Sequence, residues 1–300
     1  MIDNLLFAVT ATDASERAVQ VGAELAHHTD AEVSVFHARR ADVSRNGVRH
    51  VETTADARQF VDEVADKLAA NGLQVQQRLM SSSLAHPAEA ILAAAEEAGA
   101  SMIVVGTRGG NPVVQGLLGH VAYKVVAESG VPVLTVPARR QITSFGKAAA
   151  DLGATAQADT YDARPDRIVV VAEDSDAGRR TLALATEVAH DISAEVVVLH
   201  ARIVQPSRGG SWSNETHGQA VRFVEAAAEG FKRRGIAVAE QFVVTVQGDP
   251  AEEFIKLSAA AGASLIMAPN RQRPRLAEAL VPSTAHRLVA RSPIPVVSVP

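Results

Sequence analysis

Leu5 to Val9 is an unbroken apolar run, the pattern of a strand buried on both faces. From Ala14 to His28 the apolar positions take helical spacing, with Ala18, Val21, Leu25 and Ala26 on one face, and Asp13 stands where an N-cap belongs. Val33 to His37 reads as a second strand, and Glu52 to Asn71 as a helix stopped by Asn71-Gly72. Leu73 to Met80 alternates as a strand does. Pro87 then opens a helix at the favoured first-turn position, ending near Gly99. Met102 to Val105 is a further buried strand leading into a glycine-rich loop, followed by a helix over Leu118 to Glu128 and a last strand over Pro132 to Val136. Strand and helix alternate throughout, which predicts an α/β domain with a mainly parallel sheet covered by helices on both faces.

The same pattern is then written a second time. Leu25 to Arg40 (LAHHTDAEVSVFHARR) returns from Val188 as VAHDISAEVVVLHARI. His86 to Val105 returns from Asp249, and VPVLTVP from Val131 returns as IPVVSVP from Ile294. All three copies lie 163 positions downstream of their originals. A single shift at three separated places identifies an internal duplication. The expected organisation is one domain over 1–137, a linker over 138–163 rich in Ala and small polar residues, and a second domain over 164–300. Each is expected to be a doubly wound, Rossmann-like, five-stranded parallel sheet.

In such sheets ligands bind beyond the carboxyl ends of the strands, where the strand order reverses. If the first strand neighbours the fourth, the crevice of the first repeat is lined by Thr10, Ala11 and Thr12 and by the loop GTRGGNPVVQGLLGHVAYK, which begins at Gly106 and continues through Thr107. Its glycines let main-chain N–H groups approach a ligand, and a helix starting near Gly119 presents a positive dipole end suited to phosphate.

Composition narrows the chemistry. Among 300 residues there is no Cys, which excludes a disulfide framework, a thiolate nucleophile and a Cys-ligated metal. The formal net charge of -5 argues against nucleic acid as a partner. The N-terminal apolar run is too short for a signal-peptide core, and no stretch approaches a membrane span, so a cytoplasmic protein with no membrane contact is expected. No nucleophile–base–orienter set, P-loop or GxSxG elbow is present, so no catalytic residue is assigned. No metal site is expected either; the His27-His28 pair lacks a carboxylate or Cys at ligand spacing.

The run Gly106-x2-Gly109-x9-Gly119, entered from the strand SMIVVG and followed by a helix ending in GVPVLTVP, resembles the universal stress protein family, as does the opening FAVTATDASERAV. The resemblance covers both repeats, making the chain a tandem member of a stress-response family. It implies a regulatory binding module that takes ATP or another adenine nucleotide in the first repeat. Its only implied metal is magnesium carried by that nucleotide. By that resemblance Gly106, Gly109 and Gly119 hold phosphates, Arg108 and His120 add charge or hydrogen bonds, and Val121 follows in the same motif. His37 and Ala38 lie where the family places adenine. A second reading of His37 and of its repeat, His200, is a strand-end histidine bonded to its neighbours.

The first repeat departs from the family pattern at Thr10, where an Asp is usual, and at His120 and Ala122, where hydroxyls are usual. The second repeat has Glu173 at the Asp place, Pro269, Gln272 and Pro282 for the three glycines, and keeps hydroxyls at Ser283 and Thr284. Proline offers no N–H, so nucleotide is expected in the first repeat alone. Two other readings stay open: a scaffold of the same family that binds no nucleotide, and a slow ATP hydrolase or self-phosphorylating protein. The basic positions Arg271, Arg273, Arg275 and Arg287 read either as an anion site or as a solvated face. The matched last strands, Val133 to Val136 and Val296 to Val299, are expected to pair with each other within the chain, and a homodimer is a further expectation.

Overall fold

The computed structural model describes residues 2–39, 41–44, 47–50, 52–81, 86–107, 120–138, 167–207, 210–271 and 283–300. It divides into two units, Met1–Ala138 and Arg139–Pro300. Apart from Ala138, the linker expected over 138–163 lies outside the described residues.

The first unit runs β1 (Asn4–Ala8), α1 (Asp13–Thr29), β2 (Glu32–Ala38), β3 (Ala41–Ser44), β4 (Gly47–His50), α2 (Thr54–Ala70), β5 (Val75–Ser81), α3 (Pro87–Glu97), β6 (Met102–Thr107), α4 (His120–Glu128) and β7 (Val133–Pro137). Its main strands lie in the order β7-β6-β1-β2-β5, all parallel. The second unit runs β8 (Arg167–Val171), α5 (Asp176–Asp191), β9 (Glu195–Ile203), β10 (Gln205–Ser207), β11 (Gly210–Trp212), α6 (His217–Arg233), β12 (Val238–Val246), α7 (Ala251–Ala260), β13 (Leu265–Pro269), α8 (Thr284–Arg291) and β14 (Val296–Val299). Its order, β12-β9-β8-β13-β14, repeats that of the first, again all parallel. Each unit is thus the Rossmann-like α/β sheet that the alternating pattern predicts. Every residue of β1, β7 and β13 is buried, as strands covered on both faces require.

Two local features differ from the sequence reading. The cap of α1 is Thr12, not Asp13: Thr12 is extended (φ -143, ψ 150), and its hydroxyl accepts from the Ser15 N–H. Asp13 becomes the first helical residue, where its charge meets the positive helix end. Each unit also carries a small antiparallel hairpin after its second strand, β3–β4 in the first and β10–β11 in the second, which the strand–helix alternation does not anticipate.

The duplication reaches down to the helix ends. Capping boxes start α2 (Thr53 with Asp56) and α6 (Thr216 with Gln219), and in each the Thr hydroxyl and the third-residue side chain bond each other's backbone N–H. Left-handed residues follow α1 and α5 at matching places, Asp30 (φ 52) and Ser193 (φ 55), where the chain turns sharply into the next strand.

Candidate functional site

The sheet order puts β1 beside β6, with Ala8 in register with Val105. Since β2 lies on the other side of β1, the two connections leaving β1 and β6 diverge here and open the crevice that doubly wound sheets use. Thr10 and Ala11 are exposed at its mouth and Thr12 is half-buried. The loop is tied to the first turn of α1: the Thr10 N–H donates to Ser15 Oγ at 2.9 Å, and the Thr10 and Thr12 hydroxyls bond each other at 3.1 Å. Opposite, Gly106 sits against the start of α1, where a Cβ would come within 2.5 Å of the Ala14 carbonyl group. This glycine is therefore a packing requirement. The Thr107 side chain turns away, its hydroxyl donating to the Val136 carbonyl at 3.4 Å. Arg108, Gly109 and Gly119 lie outside the described residues. His120 opens α4, Val121 is half-buried behind it, and Ala122 is buried. The positive end of α4 therefore begins where the glycine motif ends.

His37 is drawn into the protein. The residue is 3% exposed, and both ring nitrogens are engaged: Nδ1 with the Val9 carbonyl at 2.8 Å and Nε2 with Glu52 Oε1 at 2.8 Å. The Phe60 ring meets it edge-on at 5.2 Å. Ala38, next along β2, is half-buried.

At the corresponding crevice of the second unit, charged side chains pair with one another beside an open hollow lined by Ser175, Asp176, Arg179, Arg180 and Arg271. Glu173 Oε1 accepts from Ser175 Oγ at 2.7 Å and from Arg271 Nε at 2.5 Å. Pro269 replaces the glycine of β6; a different close approach is made by Gly178, where a Cβ would lie 1.9 Å from the Glu173 carbonyl oxygen of the preceding loop. Ser283 caps α8 and has its hydroxyl engaged with Asn270 Oδ1 at 3.2 Å and His286 Nδ1 at 2.7 Å. Two of the four basic positions are paired, Arg271 with Glu173 and Arg287 with Asp249 at 2.9 Å; Arg273 and Arg275 lie outside the described residues. Among the described residues there is no group of three His, Cys, Asp or Glu side chains able to hold a metal ion. None of the described helices is long and apolar enough to cross a membrane.

Sequence reasoning missed the Glu52 and Glu215 partners of the two histidines. Both lie 15 residues after their histidine, in both repeats, which was the available signal.

Comparison with known proteins agrees with this architecture. The model of the universal stress protein family matches residues 1–137 and 165–300. Universal stress protein YxiE of Bacillus subtilis is 30% identical over 152 residues, covering 45% of this chain and 99% of that protein. A universal stress protein of Thermus aquaticus is 34% identical over 138 residues, covering 45% of this chain and 99% of its own length. The crystal structure of a universal stress protein from Archaeoglobus fulgidus shares the fold across 99% of this chain and 96% of its own, with a TM-score of 0.68 at 18% identity. With the family model matched twice at the two copies of one duplicated sheet, this chain belongs to the universal stress protein family and carries two of its domains in tandem.

Proposed function

We propose that the first repeat is a regulatory binding module that takes an adenine nucleotide, ATP first among them, and that the second repeat is its structural partner. The observation that carries this reading is the parallel pairing of β1 with β6, which sets the connections at Thr10 and Gly106 side by side at the point where the two strands part. Main-chain amides at Gly106, Gly109 and Gly119 would hold the phosphates, with Arg108 and His120 adding charge and magnesium accompanying the nucleotide. Thr10, Ala11, Thr12 and the backbone at His37 and Ala38 would face the nucleoside, with Thr10 offering a hydroxyl where a family Asp offers a charge. The side chain of His37 is already committed to Val9 and Glu52, so its contribution would be main-chain only. The second repeat supports the asymmetry, because Arg271 and Ser175 already occupy the Glu173 carboxylate. The activity proposed is binding, in the cytoplasm, without turnover.

One observation favours the scaffold reading instead: the Thr10 and Thr12 hydroxyls satisfy each other. Calorimetric titration of the whole chain with ATP, AMP and cyclic AMP separates the two. Heat at one site per chain, abolished by Gly109→Trp, is the expected result. No heat with any of the three nucleotides gives the scaffold reading the field, and phosphate release above a blank would convert binding into hydrolysis.

A further inference from the structure

The second unit carries a hollow of about 430 Å³ between α5 and α6. None of its residues lies on the loops that leave β8 or β13, so it is separate from the crevice. Leu182, Ala183 and Thr186 of α5 form one wall, and Ala226, Ala227 and Gly230 of α6 the other. The walls are mostly apolar, and the Thr186 hydroxyl is engaged within its own helix, donating to the Leu182 carbonyl at 2.7 Å. Over Gly230 the space is open: a Cβ placed there would meet no atom within 4 Å. At the end of α6 stand Arg233 and Arg234, both exposed and both in the lining. Neither forms an ion pair among the described residues. One carboxylate, Glu187, shares the lining, so two guanidinium groups against it leave the local balance at one positive charge.

The duplication supplies a control. In the first repeat, the positions matching Ala226 and Gly230 hold Glu63 and Lys67, both exposed on α2. Those matching Arg233 and Arg234 hold Ala70 and Asn71. Long charged side chains thus stand where the second repeat leaves room, and the two cations are missing. Room and cations occur together in one copy and are both lacking in the other. Cations at the end of a helix also meet its negative dipole end. That accounts for arginine at these positions but not for an apolar hollow beside them.

Size separates the candidate occupants. The lining runs from Leu182 to Glu187 on one helix and from Ala226 to Arg234 on the other, about 8 Å and about 12 Å at a rise of about 1.5 Å per residue. That is short for a partner helix of ordinary length, whereas the volume lies within the range of small-molecule sites. We propose that this hollow binds a small amphiphile, an alkyl chain ending in a carboxylate. The chain lies against Leu182, Ala183, Ala226 and Ala227, and the carboxylate meets the guanidinium groups of Arg233 and Arg234. A guanidinium presents paired N–H donors that match a carboxylate's two oxygens. A single negative charge also cancels the local balance, whereas a cationic head would add to it. The site is independent of nucleotide in the first repeat.

The test is calorimetric titration of the full chain with decanoate, kept below its micelle concentration. One saturable site with a Kd of about 0.1 mM is expected, an ordinary affinity for a ligand of about a dozen heavy atoms. Decyltrimethylammonium, with the same chain and the opposite charge, should bind at least about tenfold more weakly. Ala226→Glu with Gly230→Lys installs the first repeat's own residues in the hollow and should abolish the binding. Both are good helix formers, so the fold is expected to survive, with circular dichroism as the check. Arg233→Gln with Arg234→Gln should weaken decanoate about tenfold and erase the preference over the ammonium compound. Gly109→Trp, in the other unit, should change nothing. No saturable heat up to about 1 mM decanoate, equal affinity for the ammonium compound, or binding that survives Ala226→Glu with Gly230→Lys overturns the proposal. If that double variant is unfolded, the arginine pair decides: undiminished affinity in Arg233→Gln with Arg234→Gln overturns it.

Discussion

The two crevices are built on one sheet order and end in opposite chemistry. In the first unit the strand-end loop carries Thr10 and Thr12, whose hydroxyls bond each other, and the facing strand carries Gly106. In the second, the carboxylate of Glu173 is taken by Ser175 and Arg271, and Pro269 stands in the facing strand. Both units keep a close approach at the start of the first helix but place the small residue differently. In the first, Gly106 on the strand meets the Ala14 backbone; in the second, Gly178 on the helix meets the Glu173 carbonyl of the preceding loop. The architecture is indifferent to these differences because it rests on buried apolar strands, whereas ligand chemistry rests on a few loop residues. Meanwhile the histidine–glutamate contact persists in both, which marks it as a property of the domain and not of one crevice.

The harshest way to break the comparison is to force the first unit's residue onto the second. Gly178→Ser would place a Cβ 1.9 Å from the Glu173 oxygen, so backbone must move; urea unfolding should show a loss of about 3 kcal/mol, the upper end for overpacking. Gly106→Ala, with its Cβ 2.5 Å from the Ala14 backbone, should cost about 2 kcal/mol and also remove any nucleotide heat from the first crevice. An intact Gly106→Ala chain of unchanged stability would show that α1 shifts freely. Next in size is Glu173→Gln. Its partner Arg271 is half-exposed, so the loss should stay below about 1 kcal/mol while the second crevice gains affinity for an anion such as phosphate.

The smallest effect concerns the two capping boxes. Hydrogen bonds from the Thr53 side chain and backbone hold the Asp56 carboxyl below its ordinary value, whereas Gln219 does not titrate. Asp56 therefore supports α2 at neutral pH, and that support is lost as pH falls below the carboxylate range, about 3.9 in the unfolded chain. Amide exchange at the first turn of α2 should accelerate in acid while the first turn of α6 does not follow, and Asp56→Gln should remove the difference.

Much of the fold is legible in the sequence alone. Pro87 opens α3 as the first-turn rule requires, and the apolar runs at Leu5 and Met102 became fully covered strands because nothing polar interrupts them. The cap of α1 lies one residue before the expected Asp13, since Thr12 and Asp13 are both good caps and only the extended backbone at Thr12 chooses between them. The hairpins were missed because strands of three or four residues give too short an alternation to register, although Asn46-Gly47 and Gly209-Gly210 are turn signals of the hairpin kind.

The sequence by itself determined the duplication, the order of elements and the faces that must be buried, because periodicity and repetition are properties of the chain alone. Only the tertiary structure decided that β1 lies beside β6, that His37 turns to Val9 and Glu52, and that Arg271 reaches Glu173. Those contacts join residues up to 98 positions apart, and polar side chains choose partners by distance and burial, which no local pattern encodes.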